Sequence, residues 1–296
     1  MFMIKDYDSL IENIKFKFKE FSPSQKKIAE YIVQNIDKVV FFTINELASH
    51  INVSEATIVR FAYKMGFNSY SEMQKIIRNI FKAQLSPVRR INKNIDTENI
   101  GIDHILEGSI DLDIYHLKEL KKNIPIENLE NAIKLLRNAN NIYVTGFRTS
   151  YGVAHLCNLL TRQILNNSIF IKSEDECIPE SLLSLKKDDV VFAISLPRYT
   201  NRVLHILKYA NFQKAKIIVI TDSYISPVGR LADIVIPCGF KGLTYQNTLV
   251  PANAIINLMI NVLILSSNKQ QRGIIKDRIV KIEEQLSQCK IIYFNE

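Results

Sequence analysis

Apolar and polar positions follow two different rhythms along this chain, and the change falls near residue 126. Ahead of it, apolar residues recur at helical spacing; behind it, short unbroken Val/Ile runs alternate with helical patterns. In the front part, Ser22-Pro23 precedes Ile28, Ala29, Ile32, Val33 and Ile36, which predicts a helix with proline in its first turn. Leu47, Ala48 and Ile51 then share one face of a second helix. Asn52 follows, a residue type that accepts the left-handed conformation of a tight turn. Ser54 is placed to cap a third helix, with Ile58 and Phe61 turned toward the second and Gly66-Phe67 as its stop. Ser69 or Ser71 caps another helix, with Met73, Ile76, Ile77, Ile80 and Phe81 inward. The spacing from Thr43 to Lys64 is that of a helix-turn-helix.

Behind residue 126 the pattern predicts helix 127–139, strand Ile142–Thr145, a helix from Ser150 and strand Ile169–Lys172. Strand Val190–Ser195, helix 201–212, strands Ile217–Thr221 and Ile234–Pro237, and helices near 250–266 and 270–289 complete it. Continuous apolar strands separated by helices predict a parallel sheet covered on both faces. The expected organisation is an all-α helix-turn-helix domain at 1–85, a connecting segment at 86–125, and an α/β three-layer domain at 126–296. The connecting segment holds a linker (Pro87 and the polar run Arg89–Asn99) and a helix from about Asp103 to Lys122, ended by Asn123 and Pro125. Leu249–Ser266 is apolar enough to raise the question of a membrane. Asn253, Asn257 and Asn261 lay an amide stripe along it, so a buried or interface-forming helix is expected instead.

Charge sharpens the first domain. Residues 1–94 hold 15 Lys and Arg against 9 Asp and Glu, whereas the remaining 202 hold 23 against 21. Most of the net charge of +8 therefore travels with the helix-turn-helix, the footprint expected of a module that displaces counterions from phosphates. On the opening turns of the second helix of the motif, Ser54, Glu55, Ala56, Thr57, Arg60 and Lys64 are left outward. Small and hydroxylic residues at a helix N-terminus, with cations further along, suit entry into a major groove flanked by phosphates. An apolar fraction of 47% is that of an ordinary globular protein. Cys157, Cys177, Cys238 and Cys289 form no CxxC pair and no ligand cluster accompanies them, so buried, reduced thiols, no metal and no cofactor are expected. With no apolar N-terminal leader, a cytoplasmic location is expected.

In open parallel sheets ligands bind where loops leave the carboxyl ends of the strands. The loop after the first strand reads Gly146-Phe147-Arg148-Thr149-Ser150, and that after the third reads Ser195-Leu196-Pro197-Arg198-Tyr199-Thr200. Each opens a helix and offers hydroxyls, an arginine and helix N-terminal N–H groups, a combination that favours an anion such as a phosphate monoester. The alternative is that Ser150 and Thr200 are caps and the arginines surface charges.

With these residues in place, the chain resembles the RpiR/MurR family of bacterial transcription regulators. These join an N-terminal helix-turn-helix to a sugar-isomerase-type (SIS), flavodoxin-like phosphosugar-binding domain. The resemblance rests on FSPSQKKIAEYI, on LASHINVSEATIVRFAYKMGFNSYSEM, on KKDDVVFAIS, and on IIVITDSYISPVGRLADIVIP with its Thr221-Asp222, Ser226-Pro227 and Ala232-Asp233 signposts. It implies that Gly146, Arg148, Thr149 and Ser150 of one loop, and Ser195, Arg198 and Thr200 of the other, surround a phosphosugar or related anion. It implies operator DNA as the other partner and an even-numbered homo-oligomer. Two departures stand out: Arg148 replaces the second glycine of a Gly-x-Gly-x-Ser loop, and Pro197-Arg198 replace the central Ser-Gly of a Ser-x-Ser-Gly-x-Thr loop. Lost glycines weaken a backbone N–H cradle, and gained guanidinium groups restore anion affinity by another geometry. SIS domains also serve aldose–ketose isomerases, whose chemistry needs a base. Glu180 and His155 are the candidates here, each with an ordinary structural role as the alternative. A third reading is a DNA-binding scaffold whose second domain only oligomerises.

Overall fold

The computed structural model describes residues 7–84, 101–172 and 178–289, which fall into two compact units. The expected linker, Pro87 and Arg89–Asn99, lies outside the described residues, as does Cys177.

The first unit is helical: α1 Tyr7–Lys17, α2 Pro23–Gln34, α3 Ile36–Val39, α4 Ile44–Ile51, α5 Glu55–Met65 and α6 Tyr70–Gln84. Ser22 accepts from the Gln25 N–H while the Gln25 side chain accepts from the Ser22 N–H, and Pro23 is the first residue of α2. Thr43 and Glu46 start α4 by the same reciprocal pair, which satisfies two orphan donors at once. Asn52 ends α4 in the left-handed region (φ 58°, ψ 56°), and Gly66 ends α5 at φ 96°. Between them Ser54 accepts from the Thr57 N–H at 3.2 Å and starts α5. This turn lets Leu47 of α4 bury completely with Ile58 and Phe61 of α5. Ser69, rather than Ser71, caps α6 by accepting from Glu72 N–H. Met73, Ile77, Ile80 and Phe81 are buried and Ile76 half-buried, as the periodicity requires. Helices α1 and α3 were not foreseen: four residues are too few to show a period, and α1 begins in a charge-interrupted stretch.

The second unit runs α7 Ile102–Asn123, α8 Ile126–Asn138, β1 Ile142–Thr145, α9 Ser150–Leu165, β2 Ser168–Ile171, α10 Ile178–Leu182 and β3 Val190–Ile194. It continues with α11 Asn201–Phe212, β4 Lys216–Thr221, a 3₁₀ turn Gly229–Leu231, β5 Ile234–Pro237, α12 Val250–Leu265 and α13 Lys269–Gln288. Helix α7, expected as a connector, is part of this unit and packs against α12. All five strands are parallel in the order β2-β1-β3-β4-β5. Every residue of β1 and β3 is buried, as in a sheet with both faces covered. Strand β2 starts one residue before its expected position because Ser168 is buried and satisfied: its hydroxyl donates to Asn158 Oδ1 at 2.7 Å.

Helix α12 buries Pro251, Ala252, Ile255, Ile256, Met259 and Leu263, and turns Asn257 and Asn261 outward. Among the described residues no single helix is long and apolar enough to cross a membrane. Cys157 and Cys238 are buried, and burial pushes both thiols up to about 12. Cys289 departs from expectation: it is exposed, because it ends α13, a helix with no fully buried residue.

At the amino ends of the strands Asp189, 2% exposed, ties β1 to β3. Its Oδ1 accepts from the Asn141 N–H (2.9 Å) and side-chain amide (3.1 Å), and its Oδ2 from the Lys186 N–H (2.7 Å). Asp189→Ala strands those donors away from water and should lower stability by about 2–3 kcal/mol, read as a drop in the urea midpoint. An unchanged midpoint would show that the sheet holds its register without this tie.

Candidate ligand cleft and reading helix

β1 and β3 are hydrogen-bonded neighbours, with Thr145 opposite Ala193, so the loops that follow them leave the sheet side by side. They enclose a cleft of about 340 Å³ including its open mouth. Arg148, Thr149, Ser150, Ser195, Arg198 and Thr200, all anticipated from sequence, line it together. Ser150 and Ser195 are buried at its floor, while Arg148 and Arg198 are exposed at its rim. Among the described residues neither guanidinium has a hydrogen-bond or ion-pair partner. Thr200 caps α11 by accepting from the Val203 N–H at 3.4 Å. Helix α9 is different: Thr149 occupies its cap position without a capping hydrogen bond, so no side chain closes that N-terminus. An uncapped helix start beside two unpaired guanidinium groups concentrates positive potential in one place.

Gly146 is not among the lining residues. A Cβ there would lie 2.8 Å from both the Ala154 Cβ and the Ser150 carbonyl oxygen, so this glycine lets α9 pack close against the end of β1. Arg148 and Arg198 hold φ of 56° and 73°, the left-handed backbone that glycine would occupy without strain. The substitutions foreseen as a lost cradle have therefore left the backbone trace in a glycine-like conformation.

Sequence reasoning missed Tyr199 and Asn247. The Tyr199 hydroxyl donates to Asp222 Oδ1 at 2.6 Å, and the Thr221 hydroxyl donates to the same oxygen at 3.0 Å, which holds the β3 loop against the end of β4. Asn247 comes from the segment after β5 and donates to the Pro197 carbonyl at 3.3 Å. No local pattern could have linked it to residue 197. The signposts have structural work as well. Ser226 accepts from the Gly229 N–H, and Asp233 accepts from the Ile217 N–H and pairs with Lys216 at 2.8 Å.

Among the described residues no carboxylate or imidazole lines the cleft. Glu180 is exposed on α10, and the exposed His155 ring stacks on Tyr151 and meets Phe170 edge-on.

On the reading helix α5, Ser54, Glu55, Ala56 and Arg60 are exposed and Thr57 is half-buried. The Ser54 and Thr57 hydroxyls lie 2.8 Å apart, and Ser54 is engaged in the cap. Lys64 turns back into its own unit: its ammonium donates to the Glu20 carbonyl and lies 5.9 Å from the Phe21 ring centroid. Lys17 donates to the Lys64 carbonyl at 2.7 Å. Tyr63, 58% exposed, was not foreseen on this surface because its ring reads as core material.

Comparison with known proteins places these two sites in context. A helix-turn-helix domain of the rpiR family matches residues 8–83, and a SIS domain matches residues 135–238. An HTH-type transcriptional regulator of Thermotoga maritima is 26% identical over 261 residues, 87% of this chain and 89% of its own. The HTH-type transcriptional regulator HexR of Escherichia coli is 22% identical, covering 77% of each chain. In fold, the chain is similar to the Vibrio vulnificus NanR protein complexed with ManNAc-6P, with TM-score 0.61, 20% identity and coverage of 95% of this chain and 98% of that one. The sugar isomerase domain of an RpiR transcription factor from Sphaerobacter thermophilus gives TM-score 0.56 at 19% identity, covering 60% of this chain and 96% of that one.

Arg148→Gly and Arg198→Gly should each relieve left-handed strain and raise stability by about 1 kcal/mol in urea unfolding. Destabilisation by either change would show that the arginine side chain holds its loop.

Proposed function

The chain belongs to the RpiR family of helix-turn-helix regulators with a SIS domain, and from that premise we propose that it is a transcription regulator of carbohydrate metabolism whose DNA affinity answers to a phosphosugar. The observation that carries the reading is the pairing of two unpartnered arginines with an uncapped helix start, in a cleft where the described residues offer hydroxyls and no base. Such a site binds an anion and lacks a group to move a proton beside a carbonyl. This favours a binding domain over an isomerase. Arg148 and Arg198 fork onto the phosphate, and Thr149, Ser150, Ser195 and Thr200 supply hydroxyls.

At the other site, Glu55, Ala56, Thr57 and Arg60 face the major groove and Ser54 fixes the start of α5. Lys64 braces the reading helix through Glu20 and Phe21. The protein works in the cytoplasm as a two-fold-symmetric oligomer, because paired reading heads match paired half-sites. The likeness to NanR, complexed with ManNAc-6P, supports a phosphorylated sugar as effector.

Arg60→Ala should weaken binding to fragments of the protein's own promoter by about 1–3 kcal/mol and flatten base preference at one position, measured by fluorescence anisotropy across a mutant duplex set. An equal loss on all duplexes would move Arg60 to the phosphate backbone. Calorimetry with a panel of hexose and N-acetylhexosamine 6-phosphates should detect binding that Arg148→Ala and Arg198→Ala each weaken about tenfold. Mutants that bind as well as the parent would remove the arginines from the site.

A further inference from the structure

The segment between β5 and α12 contributes Asn247 to the cleft and also holds α7. Lys241 and Asn247 form an antiparallel bridge, and Thr248 N–H donates to the Phe240 carbonyl at 3.0 Å, so that 240–241 and 247–248 pair as the two arms of a small hairpin. On one side the hairpin reaches the cleft, where Asn247 donates to the Pro197 carbonyl at 3.3 Å. On the other side it meets α7 at three levels. The Leu243 side chain would lie 3.7 Å from a Cβ on Gly108. The Thr248 hydroxyl donates to Asp113 Oδ1 at 2.6 Å. The buried His116 ring shares a 2.8 Å hydrogen bond, through Nε2, with the Lys241 carbonyl. Gly239 is pressed so close to that ring that a Cβ would collide with it.

The two fastenings differ in length: the hydrogen bonds to α7 are 2.6 and 2.8 Å, while the one from Asn247 to the cleft loop is 3.3 Å. A weak contact is the one a ligand displaces or strengthens at low cost, while short, packed contacts carry the movement onward. Helix α7 is the first element of the second unit, so in chain order it is where the effector unit begins.

We propose that the two arms of this bridge, residues 239–243 and 247–248, form a strap that reports occupancy of the cleft to α7. Asn247 is the positioning residue that reads the polar body of a bound phosphosugar, and Thr248–Asp113 and His116–Lys241 form the clamp that moves α7 with it. This deepens the phosphosugar reading given above and rests on it. The part of the ligand that Asn247 reads is a hydroxyl or acetamido group, since an amide donates to and accepts from such groups while the arginines hold the phosphate.

The test is amide hydrogen exchange by mass spectrometry on the full chain, with N-acetylmannosamine 6-phosphate, glucosamine 6-phosphate and inorganic phosphate as probes and calorimetry run in parallel. In the parent, a bound sugar phosphate should slow exchange in α7 peptides about fivefold, whereas inorganic phosphate, having nothing for Asn247 to read, should slow only the peptides of the two cleft loops. Thr248→Val should keep sugar-phosphate affinity within about threefold and lose the α7 response, and Thr248→Ser, which restores the hydroxyl, should regain it. Asn247→Ala should weaken the sugar phosphates and leave inorganic phosphate unchanged. Binding with a full α7 response in Thr248→Val would overturn the strap while leaving the phosphosugar reading intact. Absence of binding by either sugar phosphate would overturn both.

Discussion

Parallel pairing of β1 with β3, at the point where the strand order reverses, is the constraint on which the effector unit depends. Because Thr145 and Ala193 sit opposite one another, both following loops emerge at one level and must share one volume. Helices α9 and α11 then start from the two sides of that volume, so their positive ends add in the same cleft rather than in two places. The amino-end tie through Asp189 fixes this pairing, and the Tyr199–Asp222 bond holds the β3 loop against the end of β4 at the carboxyl end. If the strands slipped by one residue, Arg148 and Arg198 would no longer face a common site, whatever their own conformations.

The front unit solves a different problem. A small all-helical unit has little core to spend, and its helix ends carry much of its definition: reciprocal caps at Ser22 and Thr43, left-handed stops at Asn52 and Gly66. The turn from α4 to α5 contains just Asn52, Val53 and Ser54, and each is set by a local rule. Lys17 and Lys64 then tie the end of α1 and the turn after it to the far end of the reading helix, using for rigidity cations that composition alone would assign to DNA.

Much of this was legible in the sequence because the relevant physics is local. Unbroken Val/Ile runs marked β1, β3, β4 and β5 to within a residue, and capping residues marked the starts of α2, α5 and α11. What escaped notice was non-local or too short. Helix α3 spans four residues, and Tyr199 and Asn247 acquire their meaning only from partners 23 and 50 positions away. Gly146 was legible as part of a loop signature, but its purpose, close packing of α9, required the positions of Ala154 and Ile194. The exposed thiol of Cys289 escaped because α13 carries apolar residues without burying any of them completely.

The left-handed arginines have a consequence for how such a site diversifies. Glycine and arginine codons are separated by a single base change, and here the main chain holds the same trace that glycine would adopt. A regulator built this way can exchange a backbone-amide cradle for a guanidinium cradle one mutation at a time, without rebuilding its loops. Its inducer preference is then free to drift while the architecture around it stands still.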